Sequence, residues 1–235
     1  MPKAIKKRVK KKNIDATADV TDRLSDIKNR LKEKQKTFLT YVIIVVVVVL
    51  AVAGTFLYRY STEAQARQIA YEGYKAYYGE YAKIPLSGQE RYQKALDLFR
   101  QAYGIRKSAR SLLYMANCYY ALGRYDEAMT TLSDFIKEYP HDRDLLPLAY
   151  EKLANTQLKK GNKQEALKTL DTLYALPGSV FKDTALFESA GILESEGRKE
   201  EALSKYKEIV EKFKDSPFYE EAKARSTVNA DKKEG

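Results

Sequence analysis

A chain of 235 residues with one cysteine and one histidine cannot close an intramolecular disulfide, and it offers no Cys/His cluster with metal-ligand spacing. Its net charge of +10, from 42 Lys and Arg against 32 Asp and Glu, is unevenly placed: residues 1–37 hold 13 basic and 5 acidic side chains, a net +8, and the remainder holds 29 against 27. A main body so close to neutral argues against nucleic-acid binding and leaves the basic character to a short N-terminal tail.

That tail opens with KAIKKRVKKK, a charge run expected to be disordered and able to lie against anionic lipid headgroups. From Val20 the pattern changes. Val20, Leu24, Ile27 and Leu31 follow spacings of 4, 3 and 4, the apolar stripe of an amphipathic helix, with Lys28, Arg30, Lys32 and Lys34 around it. Two readings stay open: a short helix on or leading into a membrane leaflet, and a docking helix for a partner.

Residues 38–58, FLTYVIIVVVVVLAVAGTFLY, carry no charge and lie between Lys36 and Arg59. As a helix they extend about 31 Å, close to the hydrocarbon thickness of a bilayer. The segment therefore reads as one transmembrane span. Six basic residues precede it within 15 positions (Arg23, Lys28, Arg30, Lys32, Lys34, Lys36) and two follow, Arg59 and Arg67. This asymmetry predicts a cytoplasmic N-terminus and a translocated body. Ala51 and Ala53 have the spacing of a signal-peptidase site. The long leader, the length of the apolar run and the aromatic residues Phe56, Tyr58 and Tyr60 favour an uncleaved signal anchor instead. No proline occurs between Lys3 and Ile84, so the helix is expected to continue through STEAQARQIAYEGYKAYY into the body.

The body repeats. A glycine stands five residues before an alanine at Gly123 and Ala128, at Gly161 and Ala166, and at Gly197 and Ala202; Ala95 precedes Ala128 by 33. The surrounding stretches YQKALDLF, YDEAMTTL, KQEALKTL and KEEALSKY share one pattern. The small alanine lets two helices approach. The residue four later (Phe99, Leu132, Leu170, Tyr206) falls on the same face. Pro140, Pro177 and Pro217 punctuate the units.

A helix pair of about 34 residues with these markers resembles the tetratricopeptide repeat. Units fall at about 64–103, 109–142, 147–180 and 183–216 within a repeat domain of 59–227, closed by a capping helix at 217–227 and a disordered tail at 228–235. In the first unit Gly73 lies 22 residues from Ala95 where 12 fits, which makes EYAKIPLSGQ (80–89) an inserted loop. The resemblance implies an all-α, right-handed solenoid with a concave inner face, a protein-binding surface rather than an enzyme. Neither a cofactor nor a small-molecule substrate is expected. Cys118 reads as a packed thiol, His141 as a turn residue, and Glu200 and Glu201 as helix N-terminal charge.

In such repeats positions 2, 5, 9, 12 and 13 of the first helix face the ligand. Here they are Arg110, Leu113, Asn117, Tyr120 and Ala121, then Leu148, Glu151, Asn155, Leu158 and Lys159. The candidate groove is therefore Arg110, Leu113, Asn117, Tyr120, Glu151, Asn155 and Lys159. Asn117 and Asn155 share a register, and an amide there can donate to and accept from a peptide backbone. The alternative is two ordinary polar residues on a solvated face. A full basic clamp for a peptide carboxylate is not expected, because Leu113 and Glu151 stand where a lysine would help. Tyr71, Tyr74, Tyr77, Tyr78 and Tyr81 cluster just beyond the apolar run, to pack the first hairpin or face the lipid interface.

The layout of basic head, single span and four-unit array is similar to the YfgM-like family of ancillary SecYEG translocon subunits, although this head is longer and more basic. The resemblance implies a bacterial inner-membrane protein with a periplasmic array that contacts translocon subunits, chaperones or emerging secreted chains. Two other expectations remain: a structural scaffold in a division, secretion or pilus machine, and an organelle receptor facing the cytosol.

Overall fold

The computed structural model describes residues 16–80, 87–178 and 181–231. The basic run at 3–12, Tyr81, most of the expected inserted loop (81–86) and the last four residues lie outside them. The described chain is helical: α1 (Ala16–Tyr78), α2 (Gly88–Ile105), α3 (Ala109–Ala121), α4 (Tyr125–Glu138), α5 (Leu146–Lys159), α6 (Lys163–Ala175), α7 (Lys182–Ser195), α8 (Lys199–Lys212) and α9 (Tyr219–Asp231). By contacts the chain divides into two compact units, Met1–Tyr60 and Ser61–Gly235.

In the first unit the amphipathic stripe is not a separate short helix. It is part of α1, which runs without a break from Ala16. The apolar run is entirely helical and its large side chains are exposed, from Val42 at 40% to Tyr58 at 72%. Among the described residues α1 is the one helix long and apolar enough to cross a membrane. The two threonine hydroxyls of the apolar run are satisfied by the helix's own turns: Thr40 donates to the Lys36 carbonyl at 2.9 Å and Thr55 to that of Val52 at 2.8 Å. That removes the cost of carrying a free hydroxyl into an apolar medium.

The second unit is a solenoid of helix hairpins. Each helix from α2 to α9 packs on the next, and α3 also touches α5. The pairs α3–α4, α5–α6 and α7–α8 are successive helix hairpins. α9 caps the end, burying Ala222 completely, and stays helical to Asp231 where a tail was expected from 228. The core is a chain of three apolar clusters between neighbouring helices, as expected where each unit buries its face only on its neighbours.

The periodic residues have separate tasks. Ala128, Ala166 and Ala202 have no exposed surface, and neither do Phe99, Leu132 and Leu170 one turn after the alanines. Gly123, Gly161 and Gly197 end α3, α5 and α7 with φ of +74°, +83° and +77°. The next N–H reaches back five residues each time, to Tyr119, Gln157 and Leu193, at 2.9 Å. This closure satisfies end carbonyls and needs a left-handed residue, which glycine supplies without strain. Polar links at repeat spacing tie neighbouring hairpins together: Lys160, at the end of α5, pairs with Asp126 of α4 at 3.0 Å, and Lys205 of α8 with Asp171 of α6 at 2.9 Å.

The first hairpin is α1 from Ser61 onward with α2. Gly73 is buried in α1, and a Cβ there would lie 3.0 Å from the Phe99 ring. It therefore holds the place that Ala116, Ala154 and Ala190 hold in the later units, which moves the register of this unit from 64 to 66. α2 starts at Gly88, inside the stretch read as a loop, because Ser87 and Glu90 form a capping box.

Candidate functional site

The end of α1 together with α3 and α5 forms one open cleft of about 600 Å³ on the inner face. Helical spacing brings Arg110, Leu113, Tyr114 and Asn117 to one side of α3, and Leu148, Glu151 and Lys152 to the facing side of α5. Tyr74 and Tyr78 of α1 form the near wall.

Tyr114 anchors that wall. Its ring lies 4.7 Å from Tyr74, 5.2 Å from Phe99 and 5.4 Å from Tyr77, and its hydroxyl is 2.8 Å from that of Tyr78. Burial raises the Tyr114 phenol well above its usual range, and it pushes Tyr77 up to about 12. The cluster is thus neutral and rigid, an edge-to-face aromatic surface. Of the expected tyrosines, Tyr74 and Tyr77 pack this hairpin, while Tyr71 and Tyr78 are 55% and 59% exposed.

Four of the seven residues singled out from sequence, Arg110, Leu113, Asn117 and Glu151, meet in this cleft. The Asn117 carbonyl oxygen is buried without a hydrogen-bond partner among the described residues. Asn155 extends the polar row: its amide nitrogen donates to Glu151 at 2.5 Å and reaches Glu188 of α7 at 3.4 Å. The other carboxylate oxygen of Glu188 is buried with no hydrogen-bond partner among the described residues. Burial first, and then the Glu151 charge, push the Glu188 carboxyl up to about 7, against the opposing pulls of Asn155 and Lys152. Tyr120 is engaged elsewhere, with Lys152 over its ring at 5.3 Å and Tyr125 5.6 Å away. Lys159 is exposed in the last turn of α5.

Sequence reasoning overlooked Tyr114, Lys152 and Glu188. All three hold the sixth place of their units, a register that the positions chosen for ligand contact omitted. The corrected start of the first unit also makes Arg67, Tyr74 and Tyr78 its positions 2, 9 and 13. Each of them lines the cleft or the cavity beside it.

That adjoining cavity, about 420 Å³, shares Tyr74 and Arg110 with the cleft and is walled by Arg67, Arg106 and Lys107. Elsewhere the chemistry is sparse. Cys118 is fully buried and its thiol is pushed up to about 12 by burial, which removes the thiolate a nucleophile needs. Among the described residues, no group of three or more His, Cys, Asp or Glu is placed to hold a metal ion.

The tetratricopeptide repeat-like domain family matches this chain over residues 34–226. No curated protein sequence matches it. Among solved structures, the MamA protein superposes with a TM-score of 0.52 at 18% identity, covering 71% of this chain and 80% of MamA. MamA from Desulfovibrio magneticus RS-1, from its residue 41 onward, gives 0.50 at 16% identity, covering 72% and 90%. A Podosopora anserina kinesin light chain protein with nearly identical TPR-like repeats gives 0.50 at 17% identity, covering 74% and 88%. At such identities what is shared is the fold.

Proposed function

This chain belongs to the tetratricopeptide repeat-like domain family, and from that premise we propose that it is a membrane-anchored protein-binding module that holds an extended polypeptide along the inner face of α3, α5 and α7. The single observation that carries this reading is the cleft that gathers Arg110, Leu113, Asn117 and Glu151 and leaves the Asn117 carbonyl oxygen unpaired. A buried acceptor without a partner costs about 1–3 kcal/mol, and a peptide N–H supplies what it lacks. Aromatic surface on one side and polar side chains on the other suit a backbone carrying alternating apolar and polar residues.

The anchor is the apolar run of α1. Its exposed Val, Ile, Leu and Phe side chains need lipid to cover them, and the basic excess before the run favours a cytoplasmic N-terminus with the array on the far side. Within that topology we assign the array to the periplasmic side of a bacterial inner membrane, in the manner of the YfgM-like translocon subunits, contacting chaperones or emerging chains. Site-specific photocrosslinking from positions 117, 120 and 155 in living cells tests it. Translocon subunits, chaperones or secreted chains are the expected adducts. The components of a single division or pilus machine would identify a scaffold instead. The folded double variant Asn117→Ala, Asn155→Ala should lose at least tenfold in affinity for whichever partner is captured; unchanged affinity removes the groove from the account.

A further inference from the structure

The part of α1 that precedes the apolar run has two chemically different faces. Leu24, Ile27 and Leu31 form a stripe and are 60%, 56% and 62% exposed. The same strip of surface reaches Phe38 and Tyr41 in the apolar run, with Arg30 and Lys34 beside it and Glu33 at its outer edge. At about 100° per residue, Arg23, Arg30 and Lys34 fall within about 90° of the stripe on one side and Lys28 about 70° on the other. Asp22, Asp26 and Glu33 lie about 130–170° away, on the far side. Lys36 is a base on that far side too, but it stands two residues before the apolar run, at headgroup level in any arrangement.

Something must cover this stripe. In a straight helix that crosses a bilayer at 38–58, Leu31, Ile27 and Leu24 stand about 10, 16 and 21 Å beyond the first residue of the span. The headgroup layer is only about 5–8 Å deep, so a straight α1 holds most of the stripe in water. The junction is where α1 yields most easily. Thr37 donates to the Glu33 carbonyl and Thr40 to that of Lys36, both at 2.9 Å, and such bonds compete with the main-chain ladder and bend helices. A second copy fits the stripe poorly. In a parallel pair packed through Leu24, Ile27 and Leu31, Arg23 of one chain meets Lys28 of the other, and Lys34 takes the next core position.

We propose that residues 21–37 of α1 are a lipid-docking helix that bends at the Thr37 junction and lies on a leaflet rich in anionic phospholipid. Leu24, Ile27 and Leu31 enter the acyl boundary, Arg23, Lys28, Arg30 and Lys34 meet the headgroup phosphates, and Asp22, Asp26 and Glu33 face water. Basic flanks beside an apolar stripe, with acids on the opposite pole, are what an interfacial helix on a negative surface requires. Each base near such a surface strengthens binding about fivefold. The chain thus holds its membrane twice, through the span and through a contact selective for headgroup charge. This goes beyond the peptide-binding groove and rests only on the apolar run being a membrane span.

The test uses the full chain in phosphatidylcholine vesicles, with or without roughly one-quarter phosphatidylglycerol. Ile27→Cys and, separately, Asn29→Cys receive a nitroxide label; the buried Cys118 leaves the new thiol as the one that reacts. Position 29 lies about 170° from the stripe and serves as the water-facing reference. In anionic vesicles the label at 27 should be open to oxygen and shielded from a water-soluble nickel chelate at least about tenfold more than the label at 29. That difference should largely vanish without phosphatidylglycerol, or when Arg23→Gln, Lys28→Gln, Arg30→Gln and Lys34→Gln are made together and circular dichroism shows the helix intact. Equal exposure of 27 and 29 in anionic vesicles overturns the proposal, and shielding then seen only in native membranes means that another protein covers the stripe. Spin–spin broadening at 27 in both lipids means that a second copy covers it, and overturns the proposal too. Shielding that ignores both phosphatidylglycerol and the four glutamines overturns the role of the basic flanks. Release of the chain from the vesicles by alkaline carbonate overturns the span itself, and the docking helix with it.

Discussion

Replacing Glu188 with glutamine should stabilise the protein at alkaline pH and leave it unchanged under acid conditions. The Glu188 carboxyl is pushed up to about 7 from its ordinary 4.5, chiefly because it is buried and then because Glu151 stands beside it. Between those two values the folded chain holds a proton that the unfolded chain has released, so stability falls as pH rises through this window. At about 1.4 kcal/mol per pH unit the gap corresponds to about 3 kcal/mol. The partial exposure of the groove and the nearby Lys152 reduce this to about 1–2 kcal/mol. Glutamine keeps the shape and carries no charge, so Glu188→Gln should gain that amount at pH 8 and nothing at pH 4.5. For an array of this length it is a rise of about 3–6 °C in melting temperature, read by circular dichroism of the full chain in micelles at both pH values. An equal shift at the two pH values, or a loss at pH 8, would refute the argument that burial of this carboxylate strains the folded state.

Three further outcomes follow from the packing. Phe99→Ala empties the ring that fills the space between Gly73, Tyr74 and Tyr114, and should cost about 3–5 kcal/mol in a denaturation experiment. The same change, glycine to alanine, should act in opposite directions at two positions. Gly161→Ala puts a side chain at φ +83° and should destabilise by about 1 kcal/mol, whereas Gly191→Ala, in the body of α7 with open space around it, should stabilise by a similar amount. Maleimide should leave Cys118 of the folded protein unlabelled and react fully once denaturant exposes the thiol; rapid native labelling would contradict its burial.

The repeat was legible because its markers are local and each has a physical cause. A left-handed closure needs glycine, a close helix crossing needs alanine, and both recur at a period that any alignment of the chain with itself exposes. The first hairpin was harder to place. Gly73 does the work of an alanine there, and the insertion before Ser87 moves α2 away from the expected spacing, so the register was misplaced by two residues. That error hid Arg67, whose place beside Arg110 emerges only once Gly73 is seen against Phe99. Glu188 was hidden for another reason. Nothing in FESAGILES sets that glutamate apart from the solvated acids of α8, and its burial depends on Asn155 and Glu151 arriving from a different helix.

The order of the residues alone determined the apolar run, the charge imbalance around it and the succession of helix pairs, since hydrophobic length, charge count and helical period are properties of neighbours along the chain. Which side chains meet across the inner face was decided only by tertiary packing. Charge and hydrogen-bond satisfaction depend on distances between helices some 34 residues apart, and the sequence does not contain those distances until the hairpins stack.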